Sequence, residues 1–253
     1  MYTIELLFTI NNLKVFEESA DTINALLSAL RMNGQILGRE FSLIHKGNRI
    51  ISYVFVPEVD SLNKKYSNKY VLKYYDELKK LDAKLSQKII GKELNSSEVC
   101  KCKCVNSYIL YTDYLTLESP LHCGDCFGVI PLYKIPKTYD DEYYDIKRWE
   151  TNYQCCDALQ MNCHVGEKFG MKQLSDFKSN LNQDGIDICK KIKCSTGKNI
   201  FYYLYHYVSS PKKHTEEKRR CPSCGNEWLL NKKLFNRFDF KCNKCLLLSN
   251  IST

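Results

Sequence analysis

The sequence predicts an α+β protein, a mixed α/β body of about 210 residues followed by a small cysteine-rich module at its C-terminus. Three observations predict it. Apolar residues alternate or run on at 2–10, 41–57 and 200–208, as strands require. They recur at helical spacing over 69–89, 141–161 and 167–197. Cys221, Cys224, Cys242 and Cys245 form a C-x2-C-x17-C-x2-C array.

Residues 2–10 read as the first strand. Ser19 reads as an N-cap, followed by Ile23, Leu26, Leu27 and Leu30 on one helical face. Residues 41–46 and 50–57 read as a hairpin turned at Lys46-Gly47-Asn48 and closed by Pro57. A polar loop covers 58–68. The spacing of Leu72, Tyr75, Leu78, Leu81 and Leu85 predicts one amphipathic helix over 69–89. Cys100, Cys102 and Cys104 alternate along an extended stretch and so share a face, without an evident ligand geometry. A tyrosine-rich strand at 107–115, a turn at 121–128 and an extended segment at 129–133 follow. Helices are expected at 141–161 and 167–197, the second interrupted near Asp184-Gly185. Residues 200–208 are apolar or aromatic at nearly every position, the mark of a strand central in its sheet. Ser209-Ser210-Pro211 then opens a basic linker. The expected domains are a body over 1–210, divisible into 1–98 and 99–210, and a linker with its cysteine module over 211–253.

Hydrophobic residues make up 44% of the 253 and charged residues 26%, which excludes a wholly disordered chain. Fourteen cysteines would suggest disulfides in a short secreted chain. The N-terminal run Met1-Tyr2-Thr3-Ile4-Glu5-Leu6-Leu7-Phe8 has no basic flank and carries Glu5, so it does not read as a signal peptide. No run of about 18 apolar residues suggests a membrane span. A reducing, cytoplasmic setting is expected, with cysteines serving as metal ligands or small buried hydrophobes.

The C-terminal array carries the most specific chemistry. Two residues between paired cysteines let both sulfurs face one point, and two pairs across a hairpin place four thiolates around a tetrahedron suited to structural Zn²⁺. Cys221, Cys224, Cys242 and Cys245 are thus the expected ligands of a zinc ribbon, with Gly225 supplying a left-handed turn and Phe235, Phe238 and Phe240 a small core. Net charge is +8, and residues 210–245 hold ten basic and four acidic residues, leaving +6 of that total in one stretch. A four-thiolate zinc centre carries about −2, so part of this excess offsets the cage. The remainder suits a phosphate backbone or an acidic protein face.

Weaker motifs stay open. Cys123 and Cys126 form a second C-x2-C that reads as a tight turn with buried thiols, as half of another zinc site, or as a redox dithiol, though it does not open a helix after a strand as such motifs do. Partners eligible by chemistry are Cys155, Cys156, Cys163, His122 and His164. Cys163 beside His164 lacks an orienting third group, and sequence neighbours point apart. The basic run over 212–220 reads as a nucleic-acid contact or as a solvated linker. There is no glycine-rich phosphate loop, paired-carboxylate spacing or nucleophile elbow to support an enzyme.

Several runs resemble a bacterial family of unknown function described as zinc-ribbon-containing and nucleic-acid-binding in character. They are Leu121-His-Cys-Gly-Asp-Cys-Phe-Gly, Pro131-Leu-Tyr, Asn152-Tyr-Gln, Cys156-Asp-x-Leu-Gln-Met-Asn-Cys163 with Val165-Gly-Glu167, Tyr203-Leu-Tyr, Arg220-Cys-Pro-Ser-Cys-Gly, and the stretch Phe238–Asn250. The resemblance spans about 105–252 and implies zinc ligation by Cys221, Cys224, Cys242 and Cys245. It implies no catalytic residue. Genes of this kind often lie beside large Rhs-type polymorphic toxin genes, where the small neighbour is commonly the immunity protein. The expectation is therefore a non-enzymatic monomer that binds the cognate toxin's C-terminal domain one to one and occludes its active site. The alternative is a nucleic-acid-binding zinc-ribbon protein.

Overall fold

The computed structural model describes residues 1–252 and is a mixed α/β structure containing two sheets. Its chain divides into two compact units. One comprises Met1–Val99, Leu117–Ser119 and Val129–Tyr144; the other comprises Cys100–Thr116, Pro120–Gly128 and everything from Asp145 onward. Among the described residues no helix is long and apolar enough to cross a membrane.

The first unit runs β1 (Tyr2–Ile10), α1 (Phe16–Met32), β2 (Ile44–Lys46), β3 (Arg49–Val56), α2 (Lys69–Lys80) and β4 (Ala83–Lys92). Its antiparallel sheet has the order β2-β3-β1-β4, the ferredoxin-like arrangement of a βαββαβ chain. Alternation along β1 buries Ile4, Leu6, Phe8 and Ile10 with Ile23, Leu26, Leu27 and Leu30 of α1 and Val71 and Leu78 of α2. The hairpin turns where the sequence places it, with Gly47 at φ 64°.

Two boundaries differ from expectation. Helix α1 begins at Phe16, so Ser19 lies inside it and its Oγ donates to the Val15 carbonyl at 2.7 Å. Glu17 and Glu18 occupy the first turn, where the helix dipole favours acidic groups. Helix α2 stops at Lys80 instead of continuing to 89. Asp82 turns the chain at φ 53°, and β4 then pairs with β1, placing Leu85 opposite Phe8. Leu85 satisfies helical spacing and strand alternation alike. Pairing with β1, which otherwise leaves a bare sheet edge, decides for the strand.

The second unit contains β5 (Ser107–Leu110), β6 (Leu121–Cys123), α3 (Tyr144–Met161), α4 (Glu167–Ser175), α5 (Asn180–Thr196), β7 (Asn199–Tyr203), α6 (Lys213–Glu217), β8 (Leu229–Leu234), β9 (Phe238–Cys242) and β10 (Leu247–Ser249). Its sheet has the order β6-β5-β7-β10-β9-β8. Strand β7 is central as expected, parallel to both β5 and β10, though shorter than the predicted 200–208. The strand expected at 107–115 likewise ends at Leu110. The helical break falls at 176–179. There Ser179 caps α5 by accepting the Asn182 N–H at 3.1 Å, and Gly185 lies inside α5.

Strands β8, β9 and β10 of the C-terminal array continue the sheet begun by β5, β6 and β7. The Leu246 carbonyl accepts the Tyr202 N–H at 2.9 Å, and the Leu248 carbonyl accepts that of Leu204 at 2.9 Å. Ile109, Phe201, Phe238 and Leu248 form a shared core across β5, β7, β9 and β10.

Candidate metal centres

Two groups of four cysteines converge in the second unit. The Sγ atoms of Cys221, Cys224, Cys242 and Cys245 lie within 4.8 Å of one another, as do those of Cys100, Cys102, Cys123 and Cys126. Either group could hold a metal ion.

The C-terminal group is built by two turns flanking β8 and β9. In the first, Gly225 takes φ 72° and its N–H donates to the Cys221 carbonyl at 2.8 Å. In the second, Leu246 takes φ 54°, and the Cys245 N–H donates to the Cys242 sulfur at 3.4 Å. The Cys224 and Cys242 sulfurs are 3.7 Å apart. A tetrahedron with metal–sulfur bonds of about 2.3 Å has sulfur edges of ~3.8 Å, so this spacing suits Zn²⁺ and is far too long for a disulfide. The thiols also share charge unequally. The Asn226 backbone N–H pushes Cys224 down to about 7, whereas burial pushes Cys221 up to about 12. A thiol already near neutrality gives an incoming cation its first thiolate.

Behind this group the structure reassigns residues from the basic, aromatic stretch. Phe238 and Phe240 are fully buried, as expected of a small core, and leave no ring face for a base. Arg219 is structural: its guanidinium lies over Trp228 and Phe240 and donates to Ser249 Oγ at 3.0 Å and the Asn250 carbonyl at 2.7 Å. Trp228 Nε1 donates back to the Arg219 carbonyl at 2.9 Å. Burial pushes the Arg219 guanidinium down to about 10. Arg220 pairs with Glu227 at 2.9 Å, and Lys233 with Asp239 at 3.3 Å. Lys212, Lys218, Lys232 and Lys244 are exposed, as are Arg220, Lys233 and Arg237, whose side chains have partners.

The first group answers a question the sequence left open. The partners of Cys123 and Cys126 are Cys100 and Cys102, not the residues eligible by chemistry. His122 is buried and stacks on Phe127 at 4.5 Å, with Nδ1 3.2 Å from the Phe127 carbonyl. Cys155 and Cys163 are exposed and Cys156 is buried on α3; none joins a metal-sized group. Cys104 is exposed and stands outside the cluster. The missed signal was a C-x-C followed by a C-x2-C, two halves joined by β5.

The full-length comparison settles relationship. An uncharacterised protein of Haemophilus influenzae is 35% identical over 258 residues, covering 100% of this chain and 98% of its own. The chain belongs to the family of that bacterial protein. A second uncharacterised H. influenzae protein is 38% identical over 164 residues, covering 65% of this chain and 80% of its own. Family models described as domains of unknown function match residues 1–91 (DUF8589), 102–205 (DUF2310) and 211–253 (DUF8594). Among solved structures, a Deinococcus radiodurans chain described as an antibiotic biosynthesis monooxygenase has a TM-score of 0.26 and 13% identity, covering 40% of this chain and 99% of its own. A likeness at that level carries no argument about activity.

Proposed function

We propose that this family member is a non-enzymatic binding protein whose C-terminal cysteines form a zinc ribbon, and that it is an immunity protein for a cognate Rhs-type toxin. The observation that carries the reading is the donor set of the ribbon. Cys221, Cys224, Cys242 and Cys245 supply four sulfurs, which complete a zinc tetrahedron and leave no position for water or substrate. Zinc held there contributes shape, and function falls to the surface.

Exposed apolar side chains support a protein partner. Met161, Val165 and Phe169, on the turn from α3 to α4, are 51%, 71% and 58% exposed. The Tyr114 N–H donates to Asp157 at 2.9 Å, which brings Leu115, 73% exposed, to the same end of α3. Side chains of this kind form the desolvated centre of an interface, with polar groups around it. Gly170 holds the turn tight, since a Cβ there would lie 2.4 Å from the Cys156 carbonyl oxygen.

The test is co-expression with the C-terminal domain of the neighbouring toxin. Growth rescue and co-purification are expected. A Val165→Asp, Phe169→Asp double variant should lose both while keeping its melting temperature. Absence of rescue by the unaltered protein rejects the immunity reading.

The charge excess of residues 210–245 favours a second reading, nucleic-acid binding through the ribbon face. Lys212, Lys218, Lys232 and Lys244 are the residues to change, because Arg219 is packed against Trp228 and Phe240 and Arg220 is paired at the surface with Glu227. If this reading holds, single-stranded DNA binding weakens steeply with salt, and the four-alanine variant shows a slope reduced by up to about 3–4. A binding constant unmoved by salt removes it.

A further inference from the structure

We propose that Cys100, Cys102, Cys123 and Cys126 form a second metal site, which takes Zn²⁺ in a closed tetrahedron of thiolates and clips the 100–106 arm to the turn after β6. This site is independent of the partner the protein binds.

The turn at Cys123–Gly128 repeats the backbone of the first ribbon turn, Cys221–Asn226. In each, the first cysteine's N–H donates to the carbonyl five residues on, Gly128 at 2.8 Å and Asn226 at 3.0 Å. The residue after the second cysteine donates back to the first cysteine's carbonyl, Phe127 at 2.9 Å and Gly225 at 2.8 Å. That residue is left-handed in both, at φ 61° for Phe127 and 72° for Gly225, and Leu246 takes 54° at the matching place in the third turn. Glycine adopts this conformation freely, but phenylalanine does so at a cost of roughly 1–2 kcal/mol. The chain bears that strain where it aims two sulfurs at one point.

Backbone N–H groups face those sulfurs. Asp125 donates to Cys123 at 3.4 Å and Gly128 to Cys126 at 3.3 Å, while Cys102 donates to Cys100 at 3.4 Å. Such donors stabilise thiolate over thiol. The arm is seated closely: a Cβ on Gly128 would lie 2.8 Å from the Cys100 Cα and 2.9 Å from its nitrogen. Asn106 anchors the arm's far end, donating its N–H and side-chain amide to the Asp125 carboxylate at 2.8 and 3.2 Å. The Cys100 and Cys126 sulfurs are 3.6 Å apart, close to the ~3.8 Å edge of a zinc–thiolate tetrahedron. Four soft donors select zinc over magnesium or calcium. Lys101 and Lys103, interleaved with the cysteines, offset the cage's negative charge.

Native mass spectrometry of the full chain, with elemental analysis, tests this directly. Two zinc ions per chain are expected in the unaltered protein. Cys102→Ser and Cys126→Ser should each halve the zinc content and leave the ribbon's ion in place. Because a variant can misfold, cobalt titration of the metal-stripped, unaltered chain gives a second reading. The thiolate-to-cobalt absorption should rise until two equivalents are bound. Saturation at one equivalent, a single zinc in the unaltered protein, two zincs retained by both variants, or iron in place of zinc would each overturn the proposal.

Discussion

Cys242→Ser is expected to unfold the second unit as a whole, not merely to loosen the tail. Cys242 ends β9, and its turn leads directly into β10, which lies between β9 and β7. Two carbonyls on this segment, Leu246 and Leu248, accept the N–H groups of Tyr202 and Leu204. Loss of the turn therefore leaves the central strand without one neighbour and opens the core of Ile109, Phe201, Phe238 and Leu248. Structural zinc binding releases about 10–16 kcal/mol. That is comparable to the whole stability of a domain, about 5–15 kcal/mol. Hydrogen exchange should show Tyr202 and Leu204 deprotected in the variant, and thermal melting should lose its cooperative transition. Stripping the ion with a chelator should reproduce both effects in the unaltered chain. If Tyr202 and Leu204 keep full protection, the ribbon is a passive appendage and the shared sheet does not couple it to the body.

Gly185→Ala should destabilise the same unit, against the expectation from helix propensity. Alanine in place of glycine within a helix ordinarily stabilises by about 1 kcal/mol. Here the added methyl would lie 2.2 Å from Tyr202 Cε2 and 2.7 Å from Trp149 Nε1. Both rings are 1% exposed, and Tyr202 is further fixed by donating to Asn182 Oδ1 at 2.7 Å. Tyr202 cannot step aside without breaking the contact between α5 and β7, and Trp149 on α3 packs edge-on against Tyr202. Overpacking of this kind costs about 1–3 kcal/mol. At roughly 2–4 °C per kcal/mol, the melting temperature should fall by several degrees. Gly91→Ala is the control, because no atom lies within 4 Å of the point where its methyl would stand. A Gly185→Ala protein as stable as the original would show that α5 and β7 leave room for a methyl between them.

These two sites also mark where sequence reasoning ends. Gly185 reads locally as a helix breaker, and only the approach of β7 reveals that its missing side chain is a packing requirement. Leu81 and Leu85 continue the helical spacing of α2, yet long-range pairing with β1 converts the segment to a strand. The ribbon cysteines were legible because both halves are C-x2-C, a spacing that encodes its own geometry. Cys100 and Cys102 were not, since a C-x-C pair declares no shared target until β5 and β6 bring the 123–126 turn against it. Arg219 looked like a surface cation for the same reason: its role depends on Trp228 and Phe240 closing around it.

X-ray absorption at the zinc edge of the purified full-length protein tests the central claim most directly, that the chain's metal serves shape and leaves the work to its surface. The account predicts a first shell of four sulfurs at about 2.3 Å and nothing lighter. A shell containing oxygen that exchanges with solvent, or a protein that folds cooperatively with no zinc bound, would contradict it.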